Sequence, residues 1–157
     1  MPDRILWNDN CVKSVALIQQ YISESPILIL PNYDIPFVVQ TDASSVGIGG
    51  VLLQERDGIL HPVCFCSKKL LPREQNFSVI EREALAIVFS FQKFERYLMG
   101  RQFLLLCDHK PLTCLRGTRS MRGRLSRWAL LLQEYDFVYR HIPGGLNFFG
   151  DFLSRNV

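Results

Sequence analysis

The sequence predicts an α/β domain in which one mixed sheet is covered on its faces by helices. Three observations predict it. Three strand-like runs, at 36–42, 47–54 and 60–67, follow one another with only turns between them. A long stretch with apolar residues three or four apart then changes the period from strand to helix. Two further short apolar runs, at 102–108 and in "YDFVYRHIP", alternate with helix-like segments.

From the N-terminus, Val12, Val15, Ala16, Ile18 and Ile22 place an amphipathic helix over 8–22, with Asn8 as its N-cap. "SPILILPNYDIP" reads as an extended piece bracketed by prolines and ending in a turn. The three strand-like runs follow. "ERDG" between the second and third is a hairpin signal, so the order predicts an antiparallel meander. Phe77, Ile80, Ala84, Ile87, Val88, Phe91, Phe94 and Leu98 then mark one helix, with Gly100 as its stop. The run at 102–108 reads as a buried strand. A short helix from Pro111 and another over 121–133 precede the last strand. "PGGLNFFGDFLSR" opens with a turn and then starts a helix.

The 157 residues suffice for one domain with a real core, and 48% hydrophobic with 21% charged residues describes a globular chain rather than a disordered one. No apolar run approaches the ~18 residues needed to cross a bilayer. "MPDRILWNDN" has acids where a signal peptide needs an apolar stretch, so an intracellular protein without a membrane partner is expected. Five cysteines, an odd number without a regular framework, agree with reduced thiols. Cys64 and Cys66 share a strand face with His61 nearby, but no second pair completes a zinc site. Small buried thiols are the better reading, and zinc is not expected.

Two strands end in acids: "VVQTD" in Asp42 and "LLLCD" in Asp108. A carboxylate at the inner end of a buried strand is costly unless something balances it. Either acid alone reads most simply as the cap of the next turn or helix. On adjacent strand ends of a mixed sheet the two would repel, and a divalent cation is their natural partner. The helix between them offers Glu81 and Glu83, on opposite flanks of its apolar stripe, and periodicity does not choose between them. Helix N-terminal stabilisation is the simplest role for Asp151, early in the last helix. Net charge is only +3, yet "RGTRSMRGRLSRW", from Arg116 to Trp128, holds five arginines and no acid. That run is either a solvated helix face or a surface that condenses on a polyanion and releases its counterions.

Five stretches carry a specific resemblance. "QTDASSVGIGGVLLQ", "SKKLLPREQNFSVIEREALAIV", "FERYLMGRQFLLLCDHKPL", "RLSRWALLLQEYDFVYRHIPG" and "DFLSR" come in the order seen in the ribonuclease H domain of Ty3/gypsy-type retrotransposon polymerases. The chain resembles that domain from Trp7 to Arg155. Its first part resembles the segment that joins the polymerase to this domain. The expected division is therefore a connecting segment over 1–34 and a ribonuclease H domain over 35–157; Met1 is either a natural start or a boundary within a longer polyprotein, and the resemblance suggests the boundary.

The resemblance implies the ribonuclease H fold: a meander of three antiparallel strands plus two parallel strands, flanked by helices. It also implies a four-carboxylate site in the order Asp, Glu, Asp, Asp. The matching positions are Asp42 of "TDAS", Glu83 before "ALAI", Asp108 of "CDHKPL", and Asp151, where the usual "ADALSR" is "GDFLSR". Phe152 replaces a small residue beside the last acid, and Cys107 replaces a commoner Thr. The implied reaction is hydrolysis of the RNA strand of an RNA–DNA hybrid by two Mg²⁺ ions, for which Mn²⁺ can substitute. Asp42 would bridge the ions, Glu83 and Asp108 complete one shell, and Asp151 the other.

The implied partners are the hybrid and the polymerase domain of the parent polyprotein. The implied location is the cytoplasm, within virus-like particles, or the nucleus. Ser44, His109, Lys110, Arg124 and Arg127 are the candidate nucleic-acid contacts, and no base specificity is expected. Small residues after Asp42 would let a nucleic-acid backbone approach. Gly47, Gly49 and Gly50 serve equally well for strand packing or a bulge. His141, at the end of the last strand, aligns poorly with the mobile histidine that many ribonucleases H place before the last Asp. Two other readings compete. One is a ribonuclease H-like module, weak or inactive, reused to bind nucleic acid or protein, against which the four retained acids argue. The other is an integrase or resolvase, whose acids come in a different order and spacing.

Overall fold

A computed structural model describes residues 8–24, 28–108, 123–142 and 154. Its five strands are β1 (Phe37–Ala43), β2 (Gly47–Arg56), β3 (Ile59–Lys69), β4 (Phe103–Cys107) and β5 (Phe137–His141), standing side by side in the order β3-β2-β1-β4-β5. β1 to β3 form the expected antiparallel meander. β4 runs parallel to β1, and β5 parallel to β4. The helices are α1 (Asp9–Glu24), α2 (Pro72–Gln75), α3 (Val79–Lys93), α4 (Glu95–Leu98) and α5 (Arg124–Leu132). The helix expected from Pro111 and the one expected after the "PGG" turn lie outside the described residues, apart from Ser154.

β1 and β2 are apolar along most of their length because both of their faces are covered. Val39 joins Leu52 and Leu105 in the main core with the apolar face of α3, whereas Val38 joins Val51, Leu53 and Leu106 in a second cluster. The β2–β3 hairpin turns on Asp57 and Gly58, with φ of 54° and 77°. Two consecutive positive φ values are what a two-residue type I′ turn demands. Further along, the register slips between Leu52 and Leu53, opposite Pro62. A proline has no N–H for the ladder, so a bulge is where it is tolerated.

The extended piece before β1 is laced to the sheet through Gln54, which is fully buried. Its amide nitrogen donates to the Asn32 and Ile35 carbonyls at 2.5 and 2.9 Å, and its amide oxygen accepts from the Asn32 N–H at 2.8 Å.

Ser78 caps α3: its hydroxyl accepts from the Glu81 N–H at 3.3 Å, and Glu81 accepts from the Ser78 N–H at 2.9 Å, a reciprocal capping box. The single helix expected through Leu98 is interrupted at Phe94, where φ is −99° and ψ 9°. Phe94 and Leu98 are both fully buried in this arrangement, so tertiary packing overrides the even period. Ile80, expected on the apolar stripe, is 42% exposed. Phe91 centres an aromatic cluster, with ring centroids 5.0 Å from Phe103, 5.0 Å from Tyr135 and 5.2 Å from Phe137.

α3 lies unusually close to β2 at Gly50. A Cβ there would sit 2.1 Å from Ser90 Oγ and 2.9 Å from Ser90 Cβ, so only glycine admits the helix at this depth. For Gly50, then, the ambiguity between nucleic-acid approach and packing resolves to packing.

Candidate active site

β1, β4 and β5 are parallel, so their C-terminal ends share one edge of the sheet. Asp42 is the second-last residue of β1, paired in register with Gly49. Asp108 directly follows β4. Glu83 comes from the second turn of α3, which packs on β1 and β2. Carboxylate oxygens of Asp42, Glu83 and Asp108 all lie within 4.8 Å of one another. Asp42 and Glu83 are buried, at 8% and 2% exposure, and Asp108 is half-buried.

Three carboxyl groups this close cannot all ionise without a counter-charge. The strain falls on Glu83, which is pushed up to about 8, first by burial and then by the charges of Asp42 and Asp108. A hydrogen bond from the Ala43 backbone and the charge of Arg82 pull the other way, more weakly. The donor set consists of hard carboxylate oxygens gathered from a strand, a helix and a strand end. Among the described residues it is a donor set of the hard-oxygen kind that divalent cations such as Mg²⁺ and Mn²⁺ take.

Glu81 stays outside this group. Its carboxylate closes the Ser78 capping box and lies 3.5 Å from the Arg124 guanidinium. The choice that periodicity left open is thus made by how α3 docks.

Residues 32–135 match the family model described as an RNase H-like domain found in reverse transcriptase. The chain belongs to that family. It is 40% identical over 144 residues to the retrovirus-related Pol polyprotein from transposon 297 of Drosophila melanogaster, a match covering 92% of this chain and 13% of the relative. It is 38% identical over 134 residues to the Pol polyprotein from transposon gypsy of the same fly, covering 85% of this chain and 13% of the relative. The Ty3/gypsy resemblance is therefore borne out, and the chain spans only about an eighth of these polyproteins. In fold it is similar to LC11-RNase H1 solved in complex with an RNA/DNA hybrid, with a TM-score of 0.55 at 18% identity over 77% of this chain and 95% of that one.

Within this reverse-transcriptase RNase H-like domain, the structure describes only some of the other sequence candidates. Asp151, His109 and Lys110 lie outside the described residues, as does Phe152. Arg124, at the start of α5, lies 3.9 Å from the centroid of the Phe77 ring and is held there between that ring and Glu81. Arg127 is exposed on α5. Trp128 is half-buried, its ring 6.2 Å from that of Phe77. His141 is exposed at the end of β5, in register with Cys107 beside Asp108. Cys66 faces Ser90, and burial pushes its thiol up to about 11.

The Ser44 hydroxyl has an internal place. It accepts from the Gly47 and Val46 N–H groups at 2.9 and 3.1 Å and donates to the Ser154 carbonyl at 2.6 Å. Ser154, fully buried, in turn donates its hydroxyl to Asp42 Oδ2 at 2.5 Å. Sequence reasoning missed Ser154 although it stands in the quoted "DFLSR". Nothing local announces that a serine 112 positions away will reach Asp42.

Proposed function

We propose that this domain hydrolyses the RNA strand of RNA–DNA hybrids during reverse transcription, within a polyprotein that also carries the polymerase. The observation that carries the reading is the convergence of Asp42, Glu83 and Asp108 within 4.8 Å at the sheet edge. The relatives are Pol polyproteins, and LC11-RNase H1, which shares the fold, is solved with an RNA/DNA hybrid.

Asp42, Glu83 and Asp108, with Asp151 from outside the described residues, would hold two Mg²⁺ or Mn²⁺ ions. Bound there, the ions supply an activated water and neutralise the charge that develops on the scissile phosphate and the leaving oxygen. The chain's own contribution is rigidity and charge. Asp42 is fixed in a strand hydrogen-bonded on both sides, and Glu83 on a helix seated against that strand. Glu83, pushed up to about 8, would have to give up its proton near neutral pH for a cation to be held there. No side chain need form a covalent bond to the nucleic acid.

The RNA strand would be recognised by its 2′-hydroxyls across a shallow minor groove, and the DNA strand by its phosphates. Arg124 and Arg127, on the N-terminal half of α5, are candidates for the phosphate contacts, with His109 and Lys110. Arg124 is pre-oriented by Phe77 and Glu81, which lowers the entropy lost on contact. The setting is intracellular, where the parent element replicates.

The test is cleavage of an end-labelled RNA–DNA hybrid by the purified chain in Mg²⁺, Mn²⁺ or EDTA, beside single-stranded RNA and duplex DNA. The RNA of the hybrid alone should be cut, with metal only, and Asp108→Asn should abolish cutting. Binding of the hybrid without cutting in either metal would instead favour a reused binding module.

A further inference from the structure

We propose that Ser154 is a positioning residue for Asp42 and that Ser44 holds Ser154 in place, so that the two serines together raise the affinity of the carboxylate group for metal. The inference rests on the metal-binding reading above and adds two residues to it.

The χ2 torsion of an aspartate is soft, with a broad two-fold profile. Asp42 also stands within 4.8 Å of two other carboxylates, which repel it. Its orientation therefore needs an external restraint. The Ser154 hydroxyl, 2.5 Å from Asp42 Oδ2, is at the short end of O–H···O⁻ hydrogen bonds, the charge-assisted kind. It is buried and shielded from competing water.

Ser154 is itself held. Its carbonyl accepts from Ser44 Oγ at 2.6 Å. Ser44 belongs to the turn that closes β1 onto β2: its N–H donates to the Gly47 carbonyl at 2.8 Å, and its Oγ accepts from the Gly47 N–H at 2.9 Å. Ser44 Oγ also lies 3.1 Å from the Gly47 carbonyl, but its single proton is better placed for the shorter contact to Ser154. The end of β1 thus grips Ser154 twice, by its backbone through Ser44 and by its side chain through Asp42. Hydrogen bonds that orient metal-ligating groups typically change metal affinity about 10–100-fold when removed.

The experiment is calorimetric titration of Mn²⁺ into the full chain as wild type, Ser154→Ala, Ser154→Thr and Ser44→Ala, with thermal midpoints recorded in EDTA. Ser154→Ala should weaken Mn²⁺ binding at least about tenfold, Ser154→Thr should recover most of it, and Ser44→Ala should weaken it in the same direction by less. Wild-type affinity in Ser154→Ala would overturn the proposal. So would a threonine variant as weak as the alanine one, because the hydroxyl would then be irrelevant. Should Ser154→Ala fail to fold, Ser44→Ala decides, and undiminished affinity there overturns it. A wild-type chain that binds no Mn²⁺ would instead refute the underlying metal reading.

Discussion

Replacing Glu83 by glutamine removes a buried carboxyl that its surroundings push up to about 8 while keeping nearly the same shape. In the absence of metal the effect on stability has a definite sign. Below about pH 4.5 the acid is neutral in both the folded and the unfolded chain, and it contributes no pH-dependent term. Between about 4.5 and about 8 the unfolded chain ionises while the folded one holds its proton, so stability falls as pH rises. Above about 8 the full penalty is present. A displacement from 4.5 to about 8 corresponds to roughly 5 kcal/mol at about 1.4 kcal/mol per pH unit, a ceiling that local relaxation reduces. Urea unfolding in EDTA at pH 5, 7 and 9 measures it. Wild type should lose about 2–5 kcal/mol more than Glu83→Gln between pH 5 and pH 9. Added Mg²⁺ should restore wild type at pH 9 and leave the variant nearly unchanged. Parallel pH profiles for the two proteins would show that Glu83 is not the acid under strain.

Gly50→Ala should destabilise the fold by about 1–3 kcal/mol in urea unfolding, because the new methyl collides with Ser90, and Ser90→Gly in the same chain should recover part of the loss. Gln54→Leu should cost about 1–3 kcal/mol by thermal or urea unfolding, since it removes the buried amide that holds the part-buried Asn32 and Ile35 carbonyls and the Asn32 N–H. Arg124→Ala should change stability by less than about 1 kcal/mol, as its ion pair with Glu81 is partly exposed. The same change should weaken hybrid binding and flatten its dependence on log salt by about one, as measured by fluorescence anisotropy.

The sheet and its main helix were legible because their signals are local. The "ERDG" turn, the flanking apolar runs and the three-and-four spacing before Gly100 each follow from a short window of chain. Asp42 and Asp108 were legible for the same reason, as acids at the ends of apolar strands. The choice of Glu83 over Glu81 came only from the resemblance at "ALAI" and not from periodicity, because both flank the stripe and the docking of α3 separates them. That docking depends on Gly50 meeting Ser90, a contact between residues 40 apart in the chain. The break at Phe94 was hidden likewise: an even apolar period reads as one helix, and the gain from burying both Phe94 and Leu98 is tertiary. Ser44 looked like a surface contact because a small polar residue after a catalytic-type acid gives no sign of a partner. Its hydroxyl turns inward to Ser154.

Asp42, Glu83 and Asp108 are proposed to hold divalent metal for cutting nucleic acid. Anomalous diffraction from crystals soaked in Mn²⁺ tests this most directly, with Asp42→Asn crystals as the control. The expected result is an anomalous peak coordinated by oxygens of all three carboxylates and lost in the Asp42→Asn crystals. No peak at these acids in soaked wild-type crystals, with Mn²⁺ bound elsewhere on the chain, would contradict it.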